Sequence, residues 1–145
     1  MVMGDLNQSD KELIAEASEA LKNAYAPYSK FRVGAAVKTD GGTVYRGCNV
    51  ENSSYGLTNC AERTAIFKAV SDGEREFDSL AIVVESADGL GTPCGSCRQV
   101  LSEFNLSMDV IMANTAGEAE KMSAAELLPK SFAAEQLDQE KINPK

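Results

Sequence analysis

The chain contains no histidine. That removes the usual general base near neutral pH and the commonest imidazole ligand for a metal. Hydrolytic chemistry here must rest on carboxylates, thiolates and metal. Runs of Lys and Arg are missing too, with 14 basic residues against 22 acidic ones and a net charge of −8. Displacing counterions from phosphates needs clustered positive charge, so a long polynucleotide is disfavoured as a partner. The acidic surplus speaks for solubility and says little about fold. No apolar stretch approaches the roughly 20 residues of a membrane span. Residues 1–10 have neither the basic start nor the apolar core of a secretory signal. The expectation is a cytoplasmic protein without a membrane partner.

Cysteine is scarce but patterned. Of four, Cys60, Cys94 and Cys97 stand beside other chemistry-bearing residues, and Cys48 does not. In a reducing compartment, paired cysteines serve metal binding or redox work more often than structural disulfides. The length of 145 residues fits one domain of the common size of about 100–150 residues. No linker, internal repeat or low-complexity segment divides it, so residues 1–145 read as one domain with a flexible polar tail over 135–145.

The pattern of apolar residues gives the elements. Ser9 and Glu12 form a capping box, and Leu13, Ala17, Leu21 and Ala24 recur at helical spacing, predicting a helix over about 10–25 that Pro27 ends. Phe31, Val33, Ala35 and Val37 alternate as in a strand. Asp40-Gly41-Gly42 is a turn, and residues 43–51 return as the second arm of a hairpin. A polar loop over 52–59 leads to a helix over 61–70 stopped near Asp72-Gly73. Residues 80–84 are continuously apolar, as in a strand covered on both faces. A helix follows over about 94–104, then a buried strand over 109–113, a turn over 114–117 and a strand over about 118–122. Ser123 and Glu126 cap a last short helix ended by Pro129.

Helices alternating with buried strands imply an α/β fold, a sheet of about five strands between helical layers. The link between the last two strands is too short for a parallel crossover. They should therefore be antiparallel, and the sheet mixed.

Cys60-Ala61-Glu62 opens one predicted helix, and Pro93-Cys94-Gly95-Ser96-Cys97 opens the next, one strand later. Helix N-termini favour the thiolate through the helix dipole. Three cysteines so arranged leave a fourth zinc position open, which separates catalytic from closed structural sites. A C-x-x-C pair alone is also compatible with redox work, and Cys48 could in principle close a four-cysteine site. In its predicted strand, Cys48 reads as a small buried hydrophobe. Glu62 is either a capping-box acid behind an Asn59 cap or a proton shuttle two residues from a ligand.

These residues resemble the zinc-dependent nucleoside and nucleobase deaminases, whose signature includes an all-cysteine form. The similarity extends to the small homotetrameric cytidine deaminases through Ala26-Pro27-Tyr28-Ser29, Phe31-x-Val33-Gly34-Ala35-Ala36, Asn49-Val50-Glu51-Asn52, Cys60-Ala61-Glu62-Arg63-Thr64-Ala65 and Leu127-Leu128-Pro129. The resemblance implies the three-layer α-β-α fold of those enzymes. It implies one Zn²⁺ per subunit on Cys60, Cys94 and Cys97, and a hydrolase acting on the carbon–nitrogen bond of a cyclic amidine. Free cytidine and 2′-deoxycytidine would become uridine and 2′-deoxyuridine with release of ammonia, a step of pyrimidine salvage. Zinc would activate a water to attack C4, and Glu62 would carry protons to N3 and to the leaving amine.

The resemblance also assigns the surrounding residues. Arg63 would hydrogen-bond ligand sulfurs and offset the negative charge of three thiolates; the alternative is a surface arginine on a solvated helix face. Asn49 and Glu51, two apart on a predicted strand and so on one face, would hold the ribose 3′-hydroxyl; otherwise they are the polar side of a hairpin. Phe31 would pack on the base or join the core, buried in either role. The Ala61 N–H would meet the base carbonyl O2. Tyr55 and Phe132 would act across subunit boundaries of the homotetramer. The competing readings are a blasticidin-type or nucleotide deaminase on the same scaffold, polynucleotide editing, and a zinc-stabilised binding module without catalysis.

Overall fold

Two glycines set how closely helices lie on the sheet. A Cβ built on Gly34 would come within 2.1 Å of Ala17 O, and one on Gly47 within 2.4 Å of Ala65 N. Both contacts are with backbone, so neither position has room for a side chain. Gly34 belongs to β1 (Val33–Thr39) and receives α1 (Gln8–Leu21); Gly47 belongs to β2 (Val44–Cys48) and receives α2 (Ala61–Ser71). The computed structural model describes residues 6–137. Its remaining elements are β3 (Phe77–Val84), α3 (Gly95–Phe104), β4 (Asp109–Asn114), β5 (Ala119–Ser123) and α4 (Ala124–Leu127).

The strands form one sheet in the order β2-β1-β3-β4-β5. Only the β3–β4 pair is parallel; β1 is antiparallel to both β2 and β3, and β4 to β5. The mixed five-stranded sheet and the antiparallel last pair are as the sequence predicts. Because β2 and β3 both oppose β1, they run in the same direction. Their C-terminal ends share one edge of the sheet, and the segments leading to α2 and α3 leave from it.

Alternate strand residues feed opposite cores. Ala36, Ala81, Val83, Ile111 and Ala113 pack with Leu13, Ala17 and Leu21 of α1. Their neighbours Ala35, Val37, Leu80, Ile82, Val110 and Met112 pack with Ala65 and Ile66 of α2, Leu101 of α3 and Leu127 of α4. Each fully buried Leu or Ile contributes about 1.5–3 kcal/mol. Both faces are covered, giving the three layers expected.

Several local expectations change. The cap of α1 is Asn7, not Ser9: its side chain accepts the Asp10 N–H at 2.8 Å, and the Asp10 carboxylate takes the Asn7 N–H at 3.2 Å. The helix stops at Leu21, well before Pro27, because residues 22–24 form a turn and Tyr25 joins another backbone segment. Tyr25 N–H donates to Asn49 O, and its carbonyl accepts from Glu51 N–H, both at 2.9 Å. β2 stops at Cys48 rather than running to residue 51. β1 is buried on both faces instead of alternating with solvent, and Phe31 precedes it. The expected tail begins with a 3₁₀ turn, Ala134–Leu137; residues 138–145 lie outside the described residues.

Candidate metal and nucleoside site

The edge shared by the C-terminal ends of β2 and β3 brings three sulfurs together. Cys60 is the N-cap of α2, and Cys94 is the N-cap of α3 with Cys97 in its first turn. Cys60 Sγ lies 3.7 Å from Cys94 Sγ, which lies 3.4 Å from Cys97 Sγ. Tetrahedral zinc with Zn–S bonds of about 2.3 Å would hold sulfurs roughly 3.8 Å apart. The donor set therefore fits zinc in both chemistry and spacing. Cys48 is not among the clustered sulfurs; it sits half-buried on β2, less enclosed than the sequence suggests, with burial pushing its thiol pKa up. A closed four-cysteine site is not formed.

The sulfurs share charge unevenly. Cys60 is held down to about 5, chiefly by a hydrogen bond from the Cys97 thiol, with Arg63 and Cys94 adding to it. The same contact, together with burial, pushes Cys97 up. One Arg63 Nη donates to Cys60 Sγ at 3.3 Å, and this contact is what most strengthens its hold on its own proton. Its Nε is buried without a partner. Arg63 therefore faces the sulfur cluster rather than a solvated helix surface.

Glu62 is 5% exposed. Burial raises its pKa to about 7; its own backbone N–H works against this, and the charge on Cys60 raises it further. A carboxyl that can give and take a proton near neutrality is suited to general acid–base work. Asn59 does not cap α2 by its side chain, since its amide donates to Thr64 Oγ1 at 3.0 Å. The capping-box explanation of Glu62 loses its partner.

Glu62, Ala61, Cys60 and Cys94 line a cavity of about 400 Å³ together with Phe31 and Asn49. That volume lies within the roughly 300–1,000 Å³ of small-molecule pockets. As the first residue of α2, Ala61 presents an N–H with no intrahelical acceptor. Phe31 is 49% exposed; it forms part of the cavity wall and is not enclosed as the sequence reading required. Asn49 is buried. Its Oδ1 accepts Val33 N–H at 3.0 Å and its Nδ2 donates to Phe31 O at 2.8 Å, leaving one N–H and one lone pair free for another partner.

Glu51 does not share a strand face with Asn49. It lines a neighbouring cavity of about 310 Å³ with Tyr28, Ser29 and Tyr55, and Thr58 borders both spaces. The Glu51 carboxylate accepts the backbone N–H groups of Tyr28 and Ser29 at 3.0 and 3.1 Å and the Ser29 hydroxyl. The hydroxyl bond first, then the two N–H bonds, hold it below the usual carboxylate range. Tyr55, 84% exposed, stands at this second space. Phe132 lines neither cavity of its own chain. Sequence reasoning missed Leu90, Thr92 and Thr58 as wall residues; Thr92 was within reach, since it directly precedes Pro93-Cys94.

Residues 7–114 match the family described as the cytidine and deoxycytidylate deaminase zinc-binding region. A cytidine deaminase of Sporosarcina psychrophila is 55% identical over 128 residues, covering 88% of this chain and 93% of its own length. One of Halalkalibacterium halodurans is 47% identical over 127 residues, 87% and 96% of the two chains. Among solved structures, a cytidine deaminase from Burkholderia pseudomallei superposes with a TM-score of 0.82 at 48% identity, covering 88% of this chain and all of that one.

Proposed function

The chain belongs to the cytidine and deoxycytidylate deaminase zinc-binding family, and on that premise we propose that it hydrolyses free cytidine and 2′-deoxycytidine to uridine and 2′-deoxyuridine with release of ammonia. The observation that carries this is the buried Glu62 carboxyl in the wall of the same cavity as two of three clustered sulfurs. Cys60, Cys94 and Cys97 hold zinc. Bound zinc supplies Lewis acidity, which brings the deprotonation of water to near neutral pH.

The chain's own residues do the rest. Glu62 takes the proton of the attacking water and delivers it to N3, making C4 electrophilic. The water oxygen bonds to C4. The same carboxyl then takes the remaining hydroxyl proton and passes it to the 4-amino group, which leaves as ammonia while C4 becomes a carbonyl. The Ala61 N–H holds O2, and Phe31 lies against the pyrimidine. Asn49, with its free N–H and lone pair, and Glu51, from the adjoining space that Thr58 shares with this cavity, take the ribose 3′-hydroxyl. Glu51 remains ionised, as a hydroxyl acceptor should. Arg63 offsets the thiolate charge that would otherwise weaken the Lewis acid.

Tyr55 and Phe132 are assigned to neighbouring subunits of a homotetramer. That reading is supported by the exposure of Tyr25, Tyr28, Tyr55, Leu57 and Phe132. Among the described residues no helix is long and apolar enough to cross a membrane; we assign the enzyme to the cytoplasm, acting as one domain in pyrimidine salvage.

The deciding experiment is ammonia release from cytidine, deoxycytidine, dCMP and blasticidin S, with and without a zinc chelator. Turnover of the two nucleosides that the chelator abolishes is expected. Turnover of dCMP or blasticidin S alone would replace the substrate assignment, and a zinc-loaded protein inert to all four would end it. Salt-sensitive binding to single-stranded RNA would instead favour editing.

A further inference from the structure

Arg98 follows directly on Cys97, yet its guanidinium meets neither an acid nor a sulfur. Nε donates to Pro93 O at 2.8 Å, and one Nη donates to Leu127 O at 2.8 Å. Pro93 is fully buried, and its carbonyl carbon is bonded to the nitrogen of Cys94. The Pro93–Cys94 peptide is a rigid plane, and the pyrrolidine ring fixes φ of Pro93. The soft torsion left on that side is ψ of Pro93, whose rotation swings the carbonyl oxygen. A grip on that oxygen therefore fixes the plane from which Cys94 projects its sulfur. The guanidinium fork sets direction as well as distance for both bonds, and its far arm is anchored at the end of α4.

We propose that Arg98 is a positioning residue for the metal, holding the Pro93–Cys94 peptide so that Cys94 Sγ stays in register with Cys60 and Cys97. The proposal rests on zinc at those three sulfurs. Arg98 differs in kind from Arg63, which touches Cys60 Sγ at 3.3 Å and acts through its charge. Arg98 acts through direction, with both arms spent on neutral carbonyls. The neighbouring Gln99 adds a parallel link, its Nε2 donating to Phe132 O at 2.9 Å, so α3 carries two metal ligands and also fixes the segment following α4.

The test is the rate at which the purified holoenzyme yields zinc to a coloured chelator, compared for wild type, Arg98→Ala, Arg98→Lys and Ile111→Val. The last lies in the core on the α1 side and controls for a general loss of stability. Outer partners of metal ligands typically govern about 10–100-fold in affinity. Both Arg98 variants are expected to release zinc at least about tenfold faster than wild type, while Ile111→Val melts earlier at an unchanged rate. Lysine keeps the charge but cannot span two carbonyls, so a wild-type rate in Arg98→Lys would overturn the proposal. So would faster release from Ile111→Val matching that of the Arg98 variants. If Arg98→Ala fails to fold, Arg98→Lys alone decides. A wild type holding no zinc would overturn the metal reading itself, a result distinguishable from failure of the Arg98 role.

Discussion

Two carboxyl groups are buried in first helical turns on opposite faces of the sheet, and they do different things. Asp10 of α1 is 6% exposed and Glu62 of α2 is 5% exposed. Asp10 takes the Asn7 N–H and, at 2.8 Å, the Lys121 ammonium of β5. Its charge is answered, and the result is a tie between the first helix and the last strand. Glu62 has no such cation on its oxygens, and burial lifts its pKa to about 7. An answered carboxylate fixes structure, whereas an unanswered one at a cavity wall is available for proton transfer. Chemical role here follows from the partners each fold position supplies, not from the residue or its place in the helix.

The strongest way to break the comparison is to neutralise both. Glu62→Gln is expected to lower ammonia release about 10²–10⁴-fold with zinc content unchanged. Asp10→Asn should leave turnover as it was. Near-normal turnover in Glu62→Gln would remove the distinction.

A second measurement sharpens it through pH. In metal-stripped protein the unfolded Glu62 titrates near 4.5 and the native one near 7. Between those values the native state holds a Glu62 proton that the unfolded state has lost. The Glu62 contribution to stability therefore falls as pH rises from 4.5 to about 7 and then levels. A gap of that width corresponds to on the order of 3 kcal/mol. Cys60, held down to about 5, contributes with the opposite sign above that value. The Glu62 contribution is the difference between wild type and Glu62→Gln in denaturant melts across this window, with wild type losing more stability, or gaining less, as pH rises. Equal slopes would place the titration elsewhere. Asp10→Asn should instead cost roughly 2 kcal/mol of stability, the scale of a hydrogen bond to a charged group. A loss below a few tenths would make the Lys121 pair incidental.

The same contrast bears on how much could be read without coordinates. The zinc triad was legible because ligand spacing and helix starts are local features of the chain, and the structure brings the three sulfurs together as expected. The antiparallel last pair was legible because a four-residue turn cannot contain a crossover. The Ser123–Glu126 box was legible too, since both of its bonds form. What failed depended on distant partners. β2 ends at Cys48 because the Asn49 side chain bonds Val33 N–H and Phe31 O, a competition with the sheet ladder that the hairpin pattern does not reveal. That break sends Glu51 to a different cavity. Arg63 could be placed against the sulfurs through the family resemblance; Arg98 could not, because its acceptor at Leu127 is 29 residues away.

The smallest expected effect concerns the first turn of α1, where two residues compete for the capping role. Sequence pattern favours Ser9 with Glu12; the structure gives Asn7 with Asp10. The exposed Ser9 Oγ instead accepts from the half-buried Lys38 ammonium at 2.5 Å, which stabilises little. Asn7→Ala removes an acceptor from an N-terminal N–H and should cost about 1 kcal/mol, whereas Ser9→Ala should stay within roughly 0.5 kcal/mol. Neither should alter turnover, since α1 packs on the face away from the cavity. Because the Asn7 N–H also holds Asp10, the Asn7→Ala and Asp10→Asn losses should combine to less than their sum. Full additivity would mean that cap and ion pair act independently, and a larger loss in Ser9→Ala than in Asn7→Ala would return the start of the helix to where the sequence pattern put it.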